Sequence, residues 1–437
     1  MTSLLSGLNP QQLEAITVPH QSILILAGAG SGKTRVLTTR IAYLIQSGLA
    51  SPHSILAVTF TNKAAKEMLT RISAMLPINP RGMWIGTFHG LCHRMLRAHY
   101  QDAGLPSTFQ ILDSADQLAM IKRILKNLSV DEKKFSPRQV QWFINNAKEA
   151  GLRAADVTVD DAFSRHMLEF YQVYEQQCQK EGAVDFAELL LRSFELLSRN
   201  EILCHHYRER FQYILVDEFQ DTNTLQYAWL KLLAGVGTEH IAAVCVVGDD
   251  DQSIYAFRGA HSGNMRDFER DFGITNIIRL EQNYRSHGNI LDAANALIEN
   301  NCDRLGKNLW TAEGKGEPLR IYNAPNDFDE AAFIVEEVKV LHAEGVALSD
   351  MALLYRSNAQ SRVLEHSLFN AAIPYRVYGG MRFFDRQEIK HALAYLRLIA
   401  NPNDDSALLR VINFPARGIG SRSLEQLLDD SKTHDSS

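Results

Sequence analysis

The residues Ala27-Gly28-Ala29-Gly30-Ser31-Gly32-Lys33-Thr34 directly follow the apolar run Ile23 to Leu26 and precede a helix-compatible stretch starting at Arg35. Small residues let backbone N–H groups curl around an anion, a helix N-terminus adds its positive end, and Lys33 supplies a neutralising charge. Thr34 is placed to ligate Mg²⁺ beside a bound phosphate. An ordinary glycine-rich turn would share the composition but not the flanking strand and helix. Ala27 departs from the strict pattern, which has glycine there. A chain built around this unit is committed to an α/β fold of the phosphate-loop NTPase kind.

Further apolar runs end in Gly, Thr or Asp: Ile55 to Phe60, Trp84 to Thr87, Tyr213 to Asp217, Val244 to Gly248 and Ile277 to Leu280. Without strict alternation they suit strands buried on both faces of a parallel sheet. The fourth continues into Asp217-Glu218-Phe219-Gln220-Asp221, an acidic carboxyl end. There Asp217 can hold Mg²⁺ through water and Glu218 can orient and deprotonate an attacking water. Between about His93 and Arg210 strand signals give way to amphipathic stretches such as Ser114 to Leu128 and Val140 to Glu149, broken at Pro106 and Pro137. The sheet domain is therefore expected to be discontinuous, with a helical insertion. A second α/β run is expected from Leu319, with strands at Leu319 to Asn323, Met351 to Tyr355 and Tyr375 to Tyr378, turning helical after Phe384.

A length of 437 residues with 46% hydrophobic content calls for more than one core. The 45 basic and 51 acidic side chains leave a formal charge of −6, so any nucleic-acid contact must be a local groove. Cys92, Cys178, Cys204, Cys245 and Cys302 lack zinc or redox spacing and read as reduced thiols of a cytoplasmic protein. The longest apolar stretch near the N-terminus is strand-sized, so neither export nor a membrane span is expected.

Three more strings stand in order: Ala57-Val58-Thr59-Phe60-Thr61-Asn62-Lys63-Ala64-Ala65, Val247-Gly248-Asp249-Asp250-Asp251-Gln252-Ser253-Ile254-Tyr255 and Leu280-Glu281-Gln282-Asn283-Tyr284-Arg285-Ser286. With Gly86-Thr87-Phe88-His89-Gly90, they resemble the ordered signature of superfamily 1A helicases of the UvrD type, and the similarity runs from about Leu8 to Gly420. The resemblance implies RecA-like motor domains, ATP and Mg²⁺ as cofactors, and 3′ to 5′ movement on single-stranded DNA. It gives Gln12 as the adenine reader, Tyr284 as the ring stacked on the base, and Arg35 as a further nucleotide contact. Gln252 becomes the γ-phosphate sensor that links nucleotide to DNA, and Arg285 an arginine touching the γ-phosphate. The DNA positions are Phe60, His89, Phe186, Tyr255, Phe257 and Arg258. Aromatic rings there offer sequence-tolerant stacking, with core packing the alternative for Phe60 and Phe186. Phe257 stands where tryptophan is often found.

The implied organisation is a first motor domain at 1–92 and 211–280, a helical insertion at 93–210, the start of a second motor domain at 281–380, and an incomplete second insertion at 381–437. Partners implied are single-stranded and 3′-tailed duplex DNA and DNA repair proteins. On this resemblance Ser437 falls inside the second insertion, ahead of the last motor motifs. Two readings follow: a repair helicase, or a shortened fragment that holds ATP and single strands without productive unwinding. A phosphate-loop switch acting on proteins is disfavoured by the aromatic positions.

Overall fold

All six of the strand-like runs up to Leu280 form strands. In chain order the strands are β1 (Ile23–Ala27), β2 (Ile55–Thr59), β3 (Trp84–Thr87), β4 (Gln110–Ile111), β5 (Ala183–Val184), β6 (Tyr213–Val216), β7 (Ala243–Gly248) and β8 (Ile277–Leu280). The computed structural model describes residues 4–80, 82–261, 263–302, 304–378 and 386–420, with 423, 424, 426, 427 and 430 beyond them; the side chain of Arg258 lies outside the described part. Phe384 and residues 431–437 also lie outside it.

Six strands make one parallel sheet in the order β3-β2-β6-β7-β1-β8. Successive residues of each strand go to opposite faces, and both faces are apolar. Leu24, Leu26, Val58, Ile214 and Val246 join one buried cluster, while Ile23, Ile25, Ala57, Leu215 and Val247 join the other. This two-sided burial is why the sequence shows continuous runs rather than alternation. Register aligns the carboxyl ends: Leu26 stands opposite Gly248, Ala27 opposite Leu280, and Val58 opposite Val216. Loops leaving that edge share one surface, where ligands of open α/β sheets bind.

The insertion between β3 and β6 is helical apart from the two-residue β4–β5 pair, which was not expected. Pro137 opens the helix Pro137–Glu149 rather than ending one, because its missing N–H costs nothing at the first turn and Ser136 and Gln139 complete a capping box ahead of it. The insertion has a core of its own, including Ile121, Ile144, Phe170, Tyr171 and Tyr174. Beneath it lies a buried ionic knot. Lys148 is 1% exposed and its Nζ lies 2.7 Å from Asp185 Oδ2 and 2.9 Å from Glu188 Oε2. Arg153 Nη1 and Arg192 Nε add contacts to Glu188 at 2.9 and 2.7 Å, and Tyr174 donates to Asp185 at 2.8 Å.

The chain divides into two compact units, Met1–Glu317 and Pro318–Ser437. In the second, the strands expected at 319–323, 351–355 and 375–378 are absent: no strand occurs there among the described residues. A strand exists only where a neighbour meets its backbone groups. Among the described residues these segments have none, and Ile321 and Leu354 are each 96% exposed. What this unit does build is helical: Asp327–Ala343, Asn358–Asn370, Gln387–Ala400 and Asp405–Val411. The last two pack through Ala394, Ala407 and Val411, with Arg397 forked onto Asp404 at 2.8 and 3.0 Å.

Removing one partner of a buried ion pair leaves charge without compensation. Lys148→Met strands Asp185, while Glu188 keeps Arg153 and Arg192, and is expected to lower unfolding stability by about 3–5 kcal/mol. Urea unfolding followed by circular dichroism checks this; a loss below about 1 kcal/mol would show that the knot relaxes freely.

Candidate functional site

The phosphate loop leaves β1 and is held from outside. Gly28 N–H donates to Leu280 O at 3.1 Å, Asn283 Nδ2 to Ala29 O at 2.6 Å, Tyr284 N–H to Gly30 O at 3.0 Å, and the Ser31 hydroxyl to Gly28 O at 2.7 Å. Its carbonyl ends are thereby engaged by protein donors rather than offered to an approaching anion. Space excludes side chains as well. A Cβ on Gly28 would fall 2.0 Å from Leu309 Cδ2, and one on Gly30, at φ +68°, 2.6 Å from Asn283 Nδ2. Gly32, also left-handed, caps the helix Lys33–Gln46, which carries Thr34 and the exposed Arg35 in its first turn.

Gln12 is buried at the helix Pro10–Thr17, where it completes a capping box with Asn9 and donates through Nε2 to Ser31 O at 2.9 Å. Arg40, 1% exposed, locks that helix by donating to the carbonyls of Ala15 and Ile16 at 3.0 Å each and of Val18 at 3.2 Å. Gln12 therefore braces the loop against the helix. Asn9 also donates to the Tyr284 hydroxyl at 3.0 Å, which in turn donates to Gln282 at 2.9 Å, leaving the Tyr284 ring half exposed. Arg285 lies alongside the loop, its own Cβ 2.9 Å from where a Cβ on Gly30 would stand.

Opposite, β6 delivers the acids. Lys33 Nζ is 3.4 Å from Glu218 Oε2. Glu218 adopts φ +49°, a left-handed conformation rare for a residue with a side chain, and Gln220 Nε2 holds its carboxylate at 2.8 Å. A backbone held in this region has a cost of order 1 kcal/mol and commonly marks a functional turn. Burial, then repulsion from Glu218, pushes Asp217 up to about 6, and the same two causes push Asp221 to about 6, Lys33 opposing both. Asp221 Oδ1 is buried without a hydrogen-bond partner. Three acids around one lysine, one of them with an orphaned oxygen, are a donor set that fits a hard divalent cation. Asp217 and the Thr34 hydroxyl are the side chains that would hold it.

The turn after β7 brings Gln252, whose Nε2 donates to Asp249 Oδ2. Past it the chain presents rings. Tyr255 stacks on Phe60 at a centroid distance of 5.7 Å and meets Phe257 at 6.0 Å; Phe257 is 74% exposed. His89 and Phe186 form a separate edge-to-face pair at 6.1 Å, with Phe186 52% exposed and the His89 imidazole pushed below its ordinary pKa by burial. Neither Phe60 nor Phe186 is a core residue.

Comparison with known proteins agrees with this geometry. The UvrD/REP helicase N-terminal domain matches residues 8–273, more than half of the chain, and the UvrD-like helicase C-terminal domain matches 278–435. The chain belongs to the UvrD/REP helicase family. It is 56% identical over 430 residues to DNA helicase II of Escherichia coli K12 and 55% identical over 432 residues to that of Haemophilus influenzae, covering 98% of this chain and 59% of each relative. It is 45% identical over 429 residues to the ATP-dependent DNA helicase PcrA of Staphylococcus aureus Mu50, with 98% and 58% covered. The chain thus spans about three fifths of the length of these relatives.

Family resemblance alone did not point to several residues that build the site. It gives no role to Asn9, Arg40, Gln220, Asn283 or Leu309, although Gln220 and Asn283 lie inside quoted strings. Burial of a polar side chain far from its partner in sequence leaves no local pattern to read.

Asp217 supplies a pH dependence. Its folded pKa of about 6 lies above the ordinary 3.8, so the ionised form a cation needs is lost as pH falls through 6. Mg²⁺-dependent nucleotide binding is expected to weaken by about tenfold per pH unit below 6, one proton competing per cation. The raised value also means that the folded state gains from protonation and that the charge costs stability above pH 6. Asp217→Asn is therefore expected to raise the melting temperature at pH 8 while abolishing Mg²⁺ dependence; calorimetric titrations from pH 5 to 8 decide it, and full Mg²⁺ dependence in the variant would refute the assignment.

Proposed function

We propose that this chain is the ATP- and single-strand-binding part of a 3′ to 5′ DNA translocase and helicase of the UvrD type, serving DNA repair from the cytoplasm. In this reading residues 1–92 and 211–280 form the first motor domain, 93–210 its insertion, and 281–380 and 381–437 open a second motor domain and insertion. One observation carries the proposal: the phosphate loop, Lys33, Asp217 and Glu218 meet at one sheet edge, and the neighbouring turn runs from Gln252 into the half-buried ring of Tyr255 and the exposed ring of Phe257.

Backbone N–H groups of the loop and Lys33 cradle the β- and γ-phosphates. Tyr284 stacks on the base, with Gln12 and Arg35 completing the nucleotide contacts. Glu218, pinned by Gln220, orients water in line with the γ-phosphate and accepts its proton, while Arg285 and Gln252 meet the charge that develops. Mg²⁺ held by Thr34 and Asp217 neutralises the triphosphate when bound. Phe60, Tyr255 and Phe257, the pair His89 and Phe186, and Arg258 carry the strand.

A second reading, ATP and single-strand binding without productive unwinding, is favoured by the unpaired segments of the second unit with Ile321 and Leu354 uncovered. Phosphate release with and without oligonucleotide, beside displacement of a 3′-tailed duplex, separates the two. Stimulated release with displacement supports the motor, and binding without either supports the second reading. An unsubstituted chain that binds neither ligand excludes both.

Loss of a phosphate-bound cation removes charge neutralisation outright, so Lys33→Ala is expected to weaken binding of a fluorescent ATP analogue at least tenfold. Phe257→Ala removes a stacking platform worth about 1–3 kcal/mol, roughly 5- to 150-fold in single-strand affinity. Fluorescence anisotropy with an oligonucleotide and with a blunt duplex checks it; tight duplex binding indifferent to the change would contradict the stacking groove.

A further inference from the structure

β7 ends at Gly248 and the chain turns at once through Asp249, Asp250 and Asp251. A carboxylate oxygen from each lies within 4.8 Å of the other two. Three negative charges that close, Asp249 only 2% exposed, require a counter-charge. It comes from Lys307, whose Nζ is 2.6 Å from Asp249 Oδ1, 2.8 Å from Asp250 Oδ1 and 2.7 Å from Asp251 Oδ2. The place a metal ion would take among these aspartates is filled by that ammonium. Arg304 forks onto Asp251 at 2.7 Å through both Nε and Nη2, and the Leu305 N–H donates to Asp250 at 2.7 Å. Burial works against the charge on Lys307, but attraction to Asp249 and hydrogen bonds to all three carboxylates outweigh it and raise its pKa.

The caged aspartates have other partners. Asp249 Oδ2 accepts from Gln252 Nε2, and the Asp249 N–H donates at 2.9 Å to Gln220 Oε1. Gln220 Nε2 in turn holds Glu218 at 2.8 Å. Ser253, next after Gln252, reaches back to the carbonyl of Gln220 at 3.5 Å, and two residues on stands Tyr255. One chain of polar contacts therefore runs from Lys307 through Asp249 to Gln252 and, by way of Gln220, to Glu218.

We propose that Lys307 is a positioning residue for coupling between the nucleotide and the single strand: by neutralising the three aspartates it fixes Asp249, and through Asp249 it sets the turn that joins Gln252 and Glu218 to the rings of Tyr255 and Phe257. The proposal rests on the reading of this site as an ATP and single-strand site. Lys307 itself touches neither ligand. Without its ammonium the carboxylates repel, Asp249 leaves its place, and the turn no longer moves with what Glu218 and Gln252 sense. Coupling between sites is a free energy measured by the change one ligand makes in the affinity for the other, typically 5- to 150-fold.

The test uses the 437-residue chain, a labelled oligothymidylate and a non-hydrolysable ATP analogue with Mg²⁺. In the unsubstituted chain the analogue is expected to change oligonucleotide affinity at least fivefold. In Lys307→Met that factor should fall to within twofold of unity while the affinity for each ligand alone stays within threefold, and Lys307→Arg should restore it. Undiminished coupling in Lys307→Met overturns the proposal, as does loss of both separate affinities in a variant that still melts cooperatively, which would make the lysine merely structural. Should Lys307→Met not fold, Lys307→Gln, whose amide can donate but carries no charge, is read the same way, reduced coupling supporting and full coupling overturning. An unsubstituted chain that binds both ligands without coupling them overturns this inference and leaves the site reading intact, whereas one that binds neither removes both.

Discussion

The pairing of β1 with β7 on one side and β8 on the other is the constraint from which the rest of the first unit follows. It sets three loops at one level: the phosphate loop after Ala27, the aspartate turn after Gly248, and the segment Glu281–Ser286 after Leu280. Once the register is fixed, Leu280 O, Asn283 and Tyr284 N–H lie where the loop's own polar groups need partners. The glycines are then a consequence. Gly28 is small because Leu309 comes close, and Gly30 because Asn283 does.

The helical insertion illustrates a different use of charge. Asp185 caps the helix Phe186–Arg199 by accepting from the Glu188 N–H at 2.8 Å, and it is the same carboxylate that Lys148 and Tyr174 grip from below. The first residue of that helix is the half-exposed Phe186, next to His89. A ring offered to solvent at the start of a helix would swing with any fraying of the first turn. Here a buried ion pair holds that turn, so the ring's direction is set by groups that never reach the surface. The pair spends stability on orientation, in keeping with the weak net worth of buried ion pairs.

Much of this was legible in the sequence because the relevant physics is local. A strand buried on both faces advertises itself as an unbroken apolar run, and all six such runs through Leu280 paired. The phosphate loop and the acids at 217–218 were readable because strand, turn and charge are consecutive. Lys307 was not, since its partners at 249–251 are far upstream and nothing in Leu305-Gly306-Lys307 signals three carboxylates. Arg40 escaped notice for a related cause: a lone arginine among helix residues looks solvated until its carbonyl partners are seen. The second unit marks the opposite failure. Leu319–Asn323 and Met351–Tyr355 have the composition of strands, but composition states a preference and pairing needs a neighbour.

The strand order also sets a timetable for synthesis. β2 and β3 can pair as soon as both are made, and the insertion can condense on its own core. β1 has neither of them as a neighbour; its flanking strands are β7 and β8, encoded more than two hundred residues later. At about 5–20 residues per second, translation leaves β1 without a partner for roughly 10–40 s. Throughout that interval the nascent chain carries the fully apolar Ile23–Ala27 with both edges open, a segment that invites off-pathway pairing or a chaperone until the last third of the sheet emerges.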